Sequence, residues 1–436
     1  MNDFVLRTFT KLVAFCYERI FHEEMSDEAK KFFSNFSYVG VGTIGSMIFF
    51  FLFNILAARA LGPSGCGTFA IIQSVAMFLY IPMLLGFCTA MIKYNAEKEE
   101  YDRQQSILST TYALVSIFTT ISVMVYYTFS SQISKLFSVS KELFYLAIIY
   151  AAIYVFYTLT TGTLRSLHKM KTYATFLPVY SIILLLAFLI FIFINFISFE
   201  AMAFSMYLAY GITGGLILIN IRKYLKFSLE ISWADRLWRY GAYSIIGGLS
   251  SAFYLNIDKI LINKYMAVTD VGIYWAYSYS ITGVMILLTS IFVTVIFPFA
   301  SKCKDKSIIF IKINRILPYF IILGLVVSIG SGFIIFKLYG SEYYFDLKLA
   351  LLCGMAGMCI SIDSVYGWLM NAVGIQGVKI TSIAATILAI VNMILNIWLI
   401  PLIGIEGAIV ATIVSYILSI GIVVSKRKYL YSQEIS

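Results

Sequence analysis

Nearly the whole chain is divided into apolar runs of about 20–28 residues, and none of them shows the strict alternation of a half-buried strand. A helix of about 20 residues matches the hydrocarbon thickness of a bilayer. In lipid, backbone polar groups must be satisfied inside the segment or in a closed barrel. The runs therefore predict an all-α, polytopic membrane protein. Twelve spans are expected, at roughly 37–58, 67–92, 106–130, 142–164, 173–196, 199–221, 239–263, 270–298, 312–336, 345–370, 379–400 and 404–425. The connections are too short for a folded extramembrane domain. Composition agrees: 61% of the 436 residues are hydrophobic and 12% charged, against about 25% charged in soluble proteins.

The net charge of +10 invites a nucleic-acid reading, but its distribution argues against one. With the N-terminus in the cytoplasm, 25 of the 32 Lys and Arg residues fall on the cytoplasmic side and 7 on the outer side. That is the positive-inside bias of a multi-pass protein of the cytoplasmic membrane, with both termini inside. The membrane lipids, not a nucleic acid, are the partner this charge implies.

Cofactor signatures are absent from the sequence. The six cysteines form no CxxC pair, there are two histidines, and neither HExxH nor GxxxxGK[ST] occurs. No metal and no cofactor is expected, and the chain reads as a non-enzyme. In the first 36 residues Phe4, Val5, Phe9, Leu12, Val13, Cys16 and Ile20 approximate one helical face. An interfacial helix on the inner leaflet and an unstructured tail are both open there.

The chain also repeats itself. At an offset of 205, Arg59 matches Lys264, Gly67 matches Gly272, Phe69 matches Tyr274, Gly42 matches Gly247 and Tyr38 matches Tyr243. Six spans is an even number, so both halves enter the membrane in the same direction, as in parallel-repeat transporters. The expected organisation is an N-terminal segment 1–36, a six-helix bundle 37–221, a cytoplasmic linker 222–238, a second six-helix bundle 239–425, and a tail 426–436. Two such bundles would enclose a cavity that rocking opens to alternate sides.

Residues 392–416 read as two spans joined by a very tight hairpin. Asn392 and Asn396 share a helix face, Pro401 ends the helix, and Gly404 permits the turn. Gly407, Ala411 and Ser415 then recur every fourth residue, as do Gly404, Ala408 and Thr412. Such small faces let helices approach closely in lipid, so the hairpin reads as packing, not as a working site. This hairpin resembles that of the multidrug/oligosaccharidyl-lipid/polysaccharide exporter superfamily, and within it the Wzx-type repeat-unit flippases. Two further stretches carry the resemblance. One is Ala58-Arg59-Ala60-Leu61-Gly62-Pro63 with Gly67-Thr68-Phe69; the other is Asp258-Lys259-Ile260-Leu261-Ile262 with Val271-Gly272-Ile273-Tyr274. Phe297-Pro298 and Tyr339-Gly340-Ser341-Glu342-Tyr343 support them. The resemblance implies two six-helix bundles in a V. It implies a flippase moving polyprenyl-diphosphate-linked oligosaccharide to the outer leaflet for surface polysaccharide assembly, with polymerase and assembly proteins as partners.

Such cargo needs cations for phosphate and hydrogen-bonding or aromatic groups for sugar. Arg59 and Lys264 could clamp phosphates as repeat mates, or snorkel as ordinary anchors. Asn256, Lys259 and Asn263 form one polar stripe on span 7 that could line a cavity or join helices. Arg165, with His168, Lys169 and Lys171, could attract a lipid diphosphate or simply anchor the inner end of span 4. Asp258 and Asp363 are the intramembrane acids that could couple transport to H⁺ or Na⁺; Ser361, Ser364 and Tyr366 stand near Asp363 in sequence. Within the superfamily, a cation-coupled multidrug exporter and a lipid-linked peptidoglycan-precursor flippase remain alternatives. A membrane glycosyltransferase or polymerase is disfavoured, because no large extracytoplasmic loop is present.

Overall fold

A computed structural model describes residues 27–97, 100–226, 228–290, 293 and 306–427. Among these residues the fold is helical and contains no strand. In chain order the helices are α1 (Asp27–Leu84), α2 (Phe87–Glu97), α3 (Tyr101–Thr128), α4 (Ser130–Leu136), α5 (Lys141–Ser166), α6 (Met170–Phe193) and α7 (Phe199–Ile221). They continue with α8 (Ile231–Tyr265), α9 (Val268–Ser290), α10 (Lys306–Tyr339), α11 (Leu347–Asn371), α12 (Ile375–Ile403) and α13 (Ile405–Ser425). The amphipathic stretch at 4–20 and the Phe297-Pro298 pair lie outside the described residues.

Ten helices among the described residues are long and apolar enough to cross a membrane, and α8 makes an eleventh if its two bent parts count as one span. The 46 apolar residues Val39–Leu84 are about twice what a bilayer needs. Gly62 divides them, with φ 62° and ψ −174°, a conformation closed to most side chains. Pro63 follows, where its missing N–H costs the new helix nothing. The two lengths supply spans 1 and 2, which restores the twelve expected from the sequence. Lipid-facing side chains are correspondingly apolar: Phe193 is 90% and Tyr319 74% exposed.

The expected boundaries move at three places. The run at 67–92 is interrupted at Leu85 and Gly86, both at positive φ. The linker expected over 222–238 is helical from Ile231, and α8 bends by 46° between Ile231–Ala242 and Gly247–Tyr265. In α9, residues Ser278–Thr282 form one π-helical turn.

The chain forms two compact units. The first takes residues up to Asn54, Pro82–Val125 and Ile149–Tyr243. In it four tyrosine rings, of Tyr150, Tyr154, Tyr157 and Tyr180, pack on Tyr210, with Tyr180 stacked on that ring at 5.0 Å and Tyr157 at 4.9 Å. The 222–230 strap is fixed to this unit by polar contacts: Tyr101 Oη and Gln105 Nε2 donate to Lys223 O, and Ser109 and Thr110 accept from the Lys226 and Glu230 amides.

The second unit takes Ile55–Ile81, Tyr126–Ile148 and the chain from Ser244 onward. Here the turn between spans 1 and 2 packs on the second half of the sequence. A Cβ on Gly67 would collide with Val268 O and Gly272 N, and one on Gly272 would collide with Pro63 O. The glycines paired by the sequence repeat therefore touch. The Glu342 carboxylate lies at Gly62, at the positive end of the helix that Pro63 begins. Tyr343 packs beside Cys66, and burial holds its phenol far above the ordinary range. Nearby, Asn263 Nδ2 donates to Ser138 O at 2.9 Å.

The hairpin is as tight as its sequence suggests. Gly404 has φ 63°, and Gly407 abuts Leu399 O. Asn396 donates to Asn392 at 3.0 Å, and Asn392 to Thr412 at 3.4 Å, both asparagines being buried.

Candidate functional site

Four helices of the second unit line an open-sided cavity of about 290 Å³. α8 contributes Tyr254, Asp258 and Lys259; α9 contributes Tyr274, Ser278 and Thr282. α11 adds Cys353, and α13 adds Thr412 and Tyr416. The spacing on each helix explains the convergence: Tyr254 and Asp258, Tyr274, Ser278 and Thr282, and Thr412 and Tyr416 are each four residues apart and share a face. The π-helical turn of α9 falls at this wall. Its Thr282 donates to Cys353 O at 3.1 Å. Such insertions widen a helix locally and recur at functional sites.

Asp258 is the centre of the site. It is 5% exposed. Tyr274 Oη donates to its Oδ2 in a short hydrogen bond. The Lys259 amide donates to Oδ1 at 2.8 Å. The Lys259 ammonium stands 3.9 Å from Oδ1 but donates instead to Leu255 O at 2.8 Å. A cation is thus near the carboxylate without closing on it. A buried carboxylate needs such partners, because an isolated charge in lipid is costly.

Asp363 is held from the hairpin: Ser419 Oγ donates to its Oδ1 at 2.7 Å. The sequence neighbours expected around it face elsewhere. Ser361 receives Thr289 at 2.6 Å, and Tyr366 donates to Asn314 at 2.5 Å. Tyr254 and Tyr416, which line the cavity, meet edge to face at 6.2 Å. The hairpin that read as packing alone therefore supplies part of the cavity wall and the partner of Asp363.

The other expected residues are dispersed. Asn256 donates to Ala252 O of its own helix at 3.2 Å, and Asn263 is engaged by Ser138. Arg59 and Lys264 are exposed, and neither lines the cavity. Lys264 lies over its neighbour Tyr265 at 5.4 Å. Arg165 is exposed in the first unit. Tyr254, Tyr274, Thr412, Tyr416 and Ser419 escaped the sequence reading. Their fourfold hydroxyl spacing on apolar helices was the available signal.

The repeat adds a contrast. At the same offset of 205, Asp258 corresponds to Phe53 and Tyr274 to Phe69, which are 0% and 1% exposed. Where the second half holds an acid and a hydroxyl, the first holds two rings.

The family model described as polysaccharide biosynthesis protein matches residues 32–304. The chain belongs to that family. No curated protein sequence matches it. Among solved structures, the chain is similar to lipid II flippase MurJ in an inward closed conformation, with TM-score 0.63 and 16% identity over 89% of this chain and 87% of that one. An inward-facing MATE family multidrug resistance transporter of the MOP superfamily gives TM-score 0.59 and 12% identity, over 88% and 96% of the two chains. A MOP superfamily transporter from Pyrococcus furiosus gives 0.58 and 14%, over 91% and 96%. At these identities the likeness is one of fold. The family member described here is thus a multi-pass helical membrane protein whose fold is similar to that of these solved transporters and flippase.

Proposed function

We propose that this protein is a flippase carrying polyprenyl-diphosphate-linked oligosaccharide repeat units across the cytoplasmic membrane. It works by alternating access of its two halves and serves surface polysaccharide assembly. Membership of the polysaccharide biosynthesis family carries the reading. The similarity to a lipid II flippase supports a lipid-linked cargo on this fold. The 25-to-7 distribution of basic residues supports both termini in the cytoplasm. The cargo is moved without chemical change and passes to polymerase and assembly proteins.

A cavity of about 290 Å³ lies at the small end of drug-sized sites, about 300–1,000 Å³. It is too small for an oligosaccharide on a diphosphate. It suits a coupling H⁺ or Na⁺, with Asp258 as the acid that receives it, while Asp363, bonded to Ser419 and outside the cavity lining, is the other candidate for coupling. A cation on Asp258 would cancel its attraction for Lys259, 3.9 Å away, and free that ammonium for another arrangement. Arg59, Arg165, Asn256, Asn263 and Lys264 remain candidates for cargo contact.

The test is genetic and biochemical. A deletion strain lacking paralogues should stop displaying surface glycan and accumulate lipid-linked repeat units on the inner leaflet. Normal display in that strain would sink the reading.

A further inference from the structure

The first unit carries a basic site that the coupling cavity does not involve. At the end of α7, a 3₁₀ turn (Arg222–Tyr224) presents Lys223 and Tyr224. The turn is held firmly, since Lys223 O accepts from both Tyr101 Oη at 2.5 Å and Gln105 Nε2 at 3.1 Å. The Tyr224 ring packs on Tyr101 at 5.3 Å. From the α5–α6 turn, where His168 sits at φ 53°, Lys169 reaches the same ring. Its ammonium is 4.8 Å from the ring centroid, and that of Lys223 is 5.2 Å. The two cations are therefore within 10.0 Å of each other. Neither has a carboxylate partner among the described residues. Arg165 and Arg222 are exposed beside them in sequence.

This arrangement is costly as it stands. Two like charges stand against one tyrosine ring, and partial desolvation, then the Lys223 charge, hold the Lys169 amine below the ordinary lysine range. A ring attracts each cation by about 0.5–1 kcal/mol at an exposed site but neutralises neither. A phosphate accepting from the two ammoniums through separate oxygens, each at about 2.8 Å, would offset both charges. Generic basic anchoring asks only for charge near the interface. It does not call for two lysines from separate turns on one ring, with the backbone carbonyl of Lys223 pinned by two side-chain donors.

We infer that Lys169, Lys223 and Tyr224 form a binding site for a lipid-borne phosphate. The shared chemistry is a phosphate ester or anhydride on a lipid, supplied either by an anionic phospholipid headgroup or by the diphosphate of a prenyl-linked cargo. The site does not rest on the cargo reading, because a phospholipid alone would fill it.

The full-length protein, purified in detergent, is titrated with phosphatidylglycerol, phosphatidylcholine and farnesyl diphosphate while its thermal stability is followed. The wild type should be stabilised by at least one of the two anionic lipids and not by phosphatidylcholine. Lys169→Gln with Lys223→Gln should weaken that binding at least tenfold. Lys169→Arg with Lys223→Arg should restore it, and the charge-matched control Lys426→Gln with Arg427→Gln should bind as wild type. Stabilisation confined to phosphatidylglycerol assigns the site to membrane lipid, and stabilisation confined to the diphosphate assigns it to cargo. Equal binding by wild type and the double glutamine variant, or equal stabilisation by phosphatidylcholine, would overturn the proposal.

Discussion

Replacing Gly272 by alanine tests the seam between the span 1–2 turn and α9. Gly272 lies near the start of α9, where alanine is the better helix former by about 0.8–1.0 kcal/mol. That gain accrues in every state that keeps α9 helical. Against it, the new Cβ would collide with Pro63 O and stand 2.6 Å from Pro63 C and 2.9 Å from Pro63 Cα. These are backbone atoms at the start of a helix fixed by Gly62, so no flexible side chain can swing aside. Overpacking of this kind costs about 1–3 kcal/mol, and only the closed seam bears it. The ratio of parted to closed seam should therefore rise about 5- to 150-fold. Cys66 reports it directly, being 0% exposed and beside Tyr343 in the same seam. Cys353, 2% exposed at the cavity wall, is the internal control. Alkylation with N-ethylmaleimide, read peptide by peptide in a mass spectrometer, should show Cys66 reacting faster by that factor and Cys353 unchanged. Unchanged Cys66 would refute the seam. Parallel acceleration of both thiols would mean general loosening and refute it equally.

Three further outcomes are expected. Tyr274→Phe removes a donor from the buried Asp258 carboxylate and should cost about 1.5–3 kcal/mol of stability, seen as a lower melting temperature, while Asp258→Asn should leave a folded protein whose transport in proteoliposomes no longer depends on an ion gradient. Asn392→Ala strands the Asn396 amide that donates to it and should destabilise the hairpin by about 1–3 kcal/mol, measured as earlier heat-induced loss of the monodisperse peak in size exclusion. Lys348→Gln breaks a 2.7 Å ion pair with Glu406 whose lysine side chain is 67% exposed, and should change the melting point by no more than about 1 kcal/mol allows.

What the sequence made legible follows from what lipid makes expensive. Gly62-Pro63 and Gly404 mark breaks because no other residues close those turns so readily, whereas Pro401, expected to end its helix, does not, since α12 runs through it to Ile403 before Gly404 turns the chain. Asp258 and Asp363 stand out because a carboxylate within a span demands a partner. The partners were not legible. Tyr274, Tyr416 and Ser419 are neutral hydroxyls, tolerated on many faces of many spans, and only packing decides which face meets an acid. The stripe of Asn256, Lys259 and Asn263 shows the same limit. The three share a face in sequence, yet one bonds its own helix, one borders the cavity and one grips Ser138.

The internal repeat separates two jobs. Gly67 and Gly272 are the same residue in both halves of the sequence and touch each other inside the second compact unit. Asp258 and Tyr274 differ from their mates Phe53 and Phe69, so the charged site exists once, in the second half. A feature shared by the halves can open and close symmetrically but cannot tell one half from the other. An acid present once can. If the ion binds at Asp258, the bias it supplies enters through the second half alone. Substitutions at the seam should therefore change how often it parts with or without an ion gradient, whereas Asp258→Asn should leave Cys66 exposure insensitive to that gradient.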